Sequence, residues 1–299
     1  MNNTLAHLKD RKGVCVLEEG DLSKYTGFRT GGRSAIVIPN SKDSFIETVN
    51  YLRTSGNKFF ILGNGTNVIA RDEGYDGVVV LTKNALNFIN IDDLYIKVGA
   101  GTPISELCNA ALNSELTGLE FAYGIPGSVG GAVYMNAGAY DGEIKDVIRS
   151  VEYLDENGQV KIINSPDIQF SYRNSVFHTN KDWIVLSAVM RLTHGDVSEI
   201  KAKMLDLIGR RRDKQPLEYP SCGSTFKRPE GNYASKLIDD CGFRGFRVGG
   251  AQVSEKHCGF VINRDNATSK DIFDLIEIIR DTVQEKTGYL LECEVEILE

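Results

Sequence analysis

Paired cysteines, clustered histidines, long apolar runs and an excess of positive charge are all missing from this sequence. Its six cysteines lie far apart with no C-x-x-C, and its four histidines are scattered. No metal is expected from such spacing, and reduced thiols of a cytoplasmic protein are the expectation. Residues 1–20 hold no apolar run of signal-peptide length, and no stretch approaches a membrane span, so no membrane partner is expected. Lys and Arg number 34 against 41 Asp and Glu, a formal net charge of −7. That balance argues against nucleic acid, whose phosphates need an accessible basic surface. No G-x-G-x-x-G opens a helix after a strand, so a Rossmann fold is not expected. Repeats and low-complexity segments are absent as well.

What the chain has is glycine concentrated in one place. Tyr123–Ile144 holds six glycines, Gly124, Gly127, Gly130, Gly131, Gly138 and Gly142, spaced by small or β-branched residues. Glycine costs conformational entropy, so a dense run belongs where backbone turns sharply or approaches something closely. The run has no repeat and no Ser/Pro flanks, which argues against a flexible spacer. Spacing alone leaves two readings open: structural hairpins, or a loop whose bare N–H groups line a polyanion. A second stretch, Ile61–Ile69 (I-L-G-N-G-T-N-V-I), is a strand end, a tight turn and a return to apolar residues. Two such loops favour a large phosphate-bearing ligand.

With 299 residues and 41% hydrophobic content, the chain can hold two domains. Strands are expected at 35–38, 59–62, 78–81, 88–91 and 95–98. Between them Ser41 caps a helix with Phe45, Val49 and Leu52 on one face, stopped by Gly56. Another helix runs from Thr102-Pro103 toward Gly118. Strands at 148–154 and 160–163 flank Asn157-Gly158, the strongest short-range hairpin signal, and 183–192 is a further strand. Asp196 caps a helix striped by Ile200, Met204, Leu207 and Ile208. A short helix at 233–241, strands at 249–253 and 259–263, a long helix from Thr268 or Ser269 to Gly288, and an alternating strand over 290–298 complete the chain. The fold class is α+β, with domains over 1–194 (parts 1–84 and 85–194) and 195–299.

The helix after Asp196 ends in R-R-R-D-K, and more cations follow at Lys227, Arg228, Lys236, Arg244 and Arg247. Basic residues in a last helical turn complement the helix dipole, and that reading needs no ligand. In an acidic protein the same concentration also reads as an anion-binding patch.

Six motifs in order carry a resemblance. They are L-G-N-G-T-N-V-I (62–69), G-I-P-G-S-V-G-G-A-V-Y-M-N-A-G-A-Y (124–140), Y-R-N-S-V-F (172–177), K-Q-P-L-E-Y-P-S-C-G-S-T-F-K-R-P (214–229), G-F-R-V-G-G-A-Q-V-S-E-K-H (245–257) and L-E-C-E-V (291–295). Together they closely resemble the UDP-N-acetylenolpyruvoylglucosamine reductase (MurB) family of flavoenzymes, from about Tyr25 to the C-terminus. The resemblance implies a two-part FAD-binding domain of the vanillyl-alcohol oxidase and p-cresol methylhydroxylase type, then a smaller αβ substrate domain. It also implies a terminal strand returning to the flavin. The form implied lacks the family's inserted tyrosine-bearing loop. FAD is implied at Leu62, Gly63, Asn64, Gly65, Thr66, Asn67, Val68 and Ile69, and at Gly124, Ile125, Pro126, Gly127, Ser128, Gly130, Gly131, Asn136, Gly138 and Ala139. No histidine lies in either loop, so non-covalent FAD is expected.

By the same resemblance, NADPH is the co-substrate and a UDP-sugar enolpyruvyl ether accepts the hydride at its vinyl carbon, leaving an enolate. Such charge calls for preorganised donors. Arg173 matches the family's carboxylate-holding arginine, Ser224 the proton donor to carbon, and Glu294 the group hydrogen-bonded to the enolic oxygens. Lys227 is the sequence-near cation for Ser224. Lys214 is implied as a diphosphate contact, with Arg211, Arg228 and Arg247 as further substrate contacts. Without the family, Ser224 reads as a turn residue, Arg173 as a surface cation and Glu294 as the solvated face of a strand shared with Glu292 and Glu296. Three positions depart from the family's habit: Cys293 for Pro, Glu296 for Arg, and Asp141 where glycine is common. A cytoplasmic monomer is expected. The alternatives are another FAD oxidase or dehydrogenase of the superfamily, and a non-catalytic nucleotide-binding protein.

Overall fold

The computed structural model describes residues 2–299; Met1 of the expected first domain lies outside them. The described chain forms two compact units. The first takes residues up to Glu18 together with Ala35–Asn64 and Gly77–Arg210, and the second takes Glu19–Ser34, Gly65–Asp76 and Arg211–Glu299. The boundary expected at 194 falls instead inside the helix Val197–Lys214, because Ile200 and Met204 are buried in the core of the first unit. Two early segments, 19–34 and 65–76, join the C-terminal unit, which no local pattern announces.

The first unit contains two larger sheets. Arg33–Pro39, Val78–Leu81 and Phe59–Leu62 lie side by side in parallel, with Val14–Asp21 next to Arg33–Pro39 at the edge. Every residue of Val78–Leu81 is buried, as a central parallel strand covered on both faces requires. The crossover helix Lys42–Thr54 begins at Ser41, whose hydroxyl accepts the Ser44 N–H, and Phe45, Val49 and Leu52 are fully buried. Each such burial contributes roughly 1.5–3 kcal/mol.

The second sheet is antiparallel and five-stranded, in the order Val160–Asn164, Ile148–Leu154, Ile184–Arg191, Tyr95–Gly99, Ile89–Asp92. The Asn157-Gly158 hairpin forms as expected, with Gly158 at φ +76° and the Asp155 carboxylate accepting the N–H groups of Asn157 and Gln159. The helix after Pro103 ends at Asn113, short of Gly118.

In the second unit, Arg247–Val248, Ala251–Val253 and Val261–Asn263 form a three-stranded antiparallel sheet. The long helix Ser269–Thr287 is capped by Thr268 and Asp271 and closed by Gly288 at φ +76°. Its Ile272, Leu275, Ile279 and Val283 are buried in a core shared with Phe28 and Ile69. The strand expected over 290–298 is broken. Only Glu296–Leu298 is regular, running parallel to Val68–Ala70, while Cys293 makes an isolated antiparallel pairing with Phe226 and the chain bends at Val295. The shared face expected for Glu292, Glu294 and Glu296 therefore does not exist. Two different neighbours claim the two halves of the segment, and strict alternation cannot serve both. Among the described residues, no helix is long and apolar enough to cross a membrane.

Candidate active site

Within the first unit, the glycine-rich stretch is more structured than a loop. Val129–Tyr134 is a short helix capped by Ser128, and Gly138–Ala139 pairs with Gly142–Glu143. Tyr140 and Asp141 turn that hairpin at φ +50° and +65°. A two-residue turn with both φ positive is a glycine-favouring geometry, so Asp141 stands where a glycine would be less strained.

The two glycine stretches meet inside this unit. A Cβ on Gly63 would lie 2.3 Å from the Ser128 hydroxyl, and one on Gly130 would lie 2.9 Å from the Ala100 Cβ. Those glycines are bare so that protein can pack. Gly131 differs: a Cβ there would meet only Ser128 Oγ, at 3.6 Å, so protein packing does not explain its bareness. Backbone left open in the first turn of a helix fits a phosphate-bearing group.

Arg173 sits at φ +53°, its Nη2 donating to the Gly138 carbonyl at 3.2 Å and its guanidinium 5.1 Å from the Tyr172 ring centre. Asn136, expected as a cofactor contact, is 0% exposed. Its amide donates to the Ser171 carbonyl at 3.0 Å and to Glu143 at 3.3 Å, and its Oδ1 accepts the Lys145 N–H at 3.1 Å. It is a strut that ties the glycine stretch to the Arg173 loop. Leu62 and Ile69 are likewise buried, and anchor the ends of the first turn.

Within the second unit, Gly65 is held at φ +64°, where a Cβ would lie 1.8 Å from the Tyr25 carbonyl oxygen. The Gly27 N–H donates to the Gly65 carbonyl at 2.8 Å. Asn67 donates its side-chain amide to the Glu294 carbonyl at 3.0 Å and accepts the Glu296 N–H at 2.9 Å. The segment carrying Ser224 lies alongside, since the Glu294 N–H donates to Thr225 O and the Lys227 N–H to Glu292 O. Thr225, absent from the expected set, is fully buried, and its hydroxyl accepts the Val261 N–H at 3.1 Å. The available signal was the facing of S-T-F-K by E-C-E-V, two short alternating runs.

The cations are spread over this unit. Lys227, expected to serve Ser224, is paired with Glu292 at 3.3 Å. Arg247 pairs with Asp265, Arg228 stacks 4.0 Å from the Tyr233 ring centre, and Lys214 is exposed at the end of its helix. Burial pushes the Cys222 thiol up to about 12, and the Cys293 thiol is raised for the same reason. Neither is a ready nucleophile. Among the described residues, no group of three or more His, Cys, Asp or Glu is placed to hold a metal ion.

Residues 33–164 match the model of an FAD binding domain, and residues 215–298 that of the UDP-N-acetylenolpyruvoylglucosamine reductase C-terminal domain. A UDP-N-acetylenolpyruvoylglucosamine reductase from Caldanaerobacter subterraneus subsp. tengcongensis is 48% identical over 95% of this chain and 95% of its own length. Another from Clostridium novyi is 50% identical over 93% of this chain and 90% of its own. The chain belongs to the UDP-N-acetylenolpyruvoylglucosamine reductase family. The crystal structure of a member from Thermus caldophilus matches with a TM-score of 0.81 at 32% identity, covering 96% of this chain and all of that one. A solvent-stable cholesterol oxidase shares the fold alone, with a TM-score of 0.50 at 14% identity over 60% of this chain. The fold is therefore the two-part FAD-binding domain followed by the reductase family's C-terminal domain, and FAD is the cofactor. Both glycine stretches, Leu62–Ile69 and Gly124–Ala139, lie within the matched FAD binding domain.

Proposed function

We propose that this chain reduces UDP-N-acetylglucosamine enolpyruvate to UDP-N-acetylmuramate in peptidoglycan precursor synthesis, with NADPH as the electron source. The observation that carries this reading is the pairing of the Ser224 segment with the Glu294 segment, held by Asn67 of the first glycine loop. Non-covalent FAD, when bound, supplies a two-electron relay from NADPH to the substrate's vinyl carbon.

The chain's own residues then have distinct tasks. Arg173 holds the substrate carboxylate, and its bond to Gly138 and its stacking on Tyr172 fix the plane of its fork. Glu294, in its protonated form, hydrogen-bonds the oxygens on which negative charge develops. Ser224 gives its hydroxyl proton to the carbon next to the carboxylate, and the oxygen is reprotonated from water. Lys214 meets the diphosphate, with Arg211, Arg228 and Arg247 as further contacts. We read the protein as a cytoplasmic monomer acting on a small-molecule UDP-sugar.

The test is a two-step absorbance experiment on the flavin-loaded protein. NADPH should bleach the flavin bands, and the enolpyruvyl UDP-sugar should restore them anaerobically while other acceptors do not. Bleaching without substrate-specific recovery would point to a different acceptor. Failure to take up FAD would leave only a non-catalytic protein.

A further inference from the structure

The carbonyl of Glu294 lies where the terminal segment changes partners. Before it, Cys293 pairs with Phe226; after it, Glu296 begins the parallel pairing with Val68. A carbonyl at such a bend needs a donor from elsewhere, because an unmet backbone group away from water is costly. The donor is the side-chain amide of Asn67, at 3.0 Å, and the Asn67 carbonyl in turn accepts the Glu296 N–H at 2.9 Å. One residue of the first glycine loop thus brackets the bend from both sides. Asn67 is not among the residues with positive φ, so its backbone does not require an asparagine. What asparagine supplies here is the amide.

We infer that Asn67 is a positioning residue whose side-chain amide couples the first glycine loop to the Glu294 backbone, so that ordering of the loop by FAD sets where the Glu294 carboxyl stands. This rests on the role proposed for Glu294. The loop and the 294–296 segment are far apart in sequence, and Asn67 joins them by donating to the Glu294 carbonyl and accepting from the Glu296 N–H. The backbone bond survives loss of the side chain, so Asn67→Ala removes the coupling while the parallel strand pair stays.

The experiment uses Asn67→Ala and Asn67→Ser, each alone and combined with Glu294→Gln. Because Asn67 also lies in the FAD loop, both single variants are compared at saturating FAD, where reoxidation should lose far more than reduction by NADPH does. Reoxidation by the enolpyruvyl UDP-sugar should slow by about 10–100-fold, the scale of a small misplacement of a reacting group. Adding Asn67→Ala to Glu294→Gln should slow reoxidation no further than Glu294→Gln alone. Hydrogen exchange supplies a readout that needs no turnover: FAD added to the apoprotein should slow exchange across 291–298 in wild type but not in Asn67→Ala. The inference is overturned by loss of FAD in both variants, by equal slowing of both half-reactions, by wild-type reoxidation, by multiplied defects in the double variant, or by unchanged protection. Wild-type protein that the UDP-sugar fails to reoxidise would sink the proposed function instead, and the exchange comparison would still decide the coupling.

Discussion

The main-chain N–H of Glu294 donates to the carbonyl oxygen of Thr225 at 2.9 Å, although the two residues come from motifs far apart in the chain. Thr225 is itself pinned, its N–H to the Gly259 carbonyl and its hydroxyl to the Val261 N–H. Thr225, the neighbour of Ser224, is therefore held by backbone bonds from two sides. Rigid placement of this kind is what the proposed proton transfer from Ser224 to carbon would demand.

Ser224→Ala should leave flavin reduction by NADPH intact and slow reoxidation by the enolpyruvyl UDP-sugar by about 10²–10⁴-fold. Stopped-flow absorbance of the two half-reactions checks this. Equal losses in both would mean the hydroxyl serves the fold.

Gly65→Ala combines two penalties. The left-handed backbone costs an L-residue roughly 1–2 kcal/mol, and the new Cβ would meet the Tyr25 carbonyl 1.8 Å away. Gly231 has a similar φ of +71° with nothing within 4 Å, so Gly231→Ala should show only the first penalty. Urea midpoints of both variants measure the difference, and FAD content should fall for Gly65→Ala alone.

Lys214→Ala should raise the KM for the UDP-sugar by about tenfold or more, as loss of a charge-assisted phosphate contact of 1.5–3 kcal/mol predicts. Flavin content and the rate of reduction by NADPH should stay as in wild type. An unchanged KM would remove Lys214 from the substrate site.

Glu120 is 2% exposed and accepts from Thr117 at 2.6 Å, from the Gly118 N–H at 3.2 Å and from Lys203 at 3.5 Å. Burial pushes this carboxyl up, but those hydrogen bonds and the lysine charge outweigh it and hold it below its ordinary 4.5. A depressed carboxyl stabilises the fold above its unfolded value and loses that contribution as pH falls through the folded one. Glu120→Gln should therefore be less stable at pH 7 by about 1.5–3 kcal/mol, with the gap closing below pH 4.5. Urea titrations across that range decide it, and a gap independent of pH would refute the charge argument.

Much of this protein was legible in its residues. Ser41 as a cap, Asn157-Gly158 as a hairpin and the helix from Thr268 or Ser269 to Gly288 all depend on neighbours a few positions away, and local pattern reports such contacts faithfully. The six ordered motifs carried the family. Less legible was everything decided at a distance. Asn136, implied as an FAD contact by the resemblance, spends its amide on Ser171 and Glu143, which no local pattern announces. Residues 290–298 alternate like one strand, yet they answer to Phe226 and to Val68 in turn.

The sequence by itself determined most element types, the glycine turns, the acidic character and the family to which the chain belongs, because composition, periodicity and short motifs are properties of contiguous residues. Tertiary structure alone decided that segments 19–34 and 65–76 join the C-terminal unit, that the Thr225 carbonyl accepts the Glu294 N–H, and that Asn67 closes the bend at Val295. Those are pairings between backbone groups distant along the chain. Hydrogen-bond partners of that kind are set by which surfaces pack together, and no stretch of residues encodes them alone.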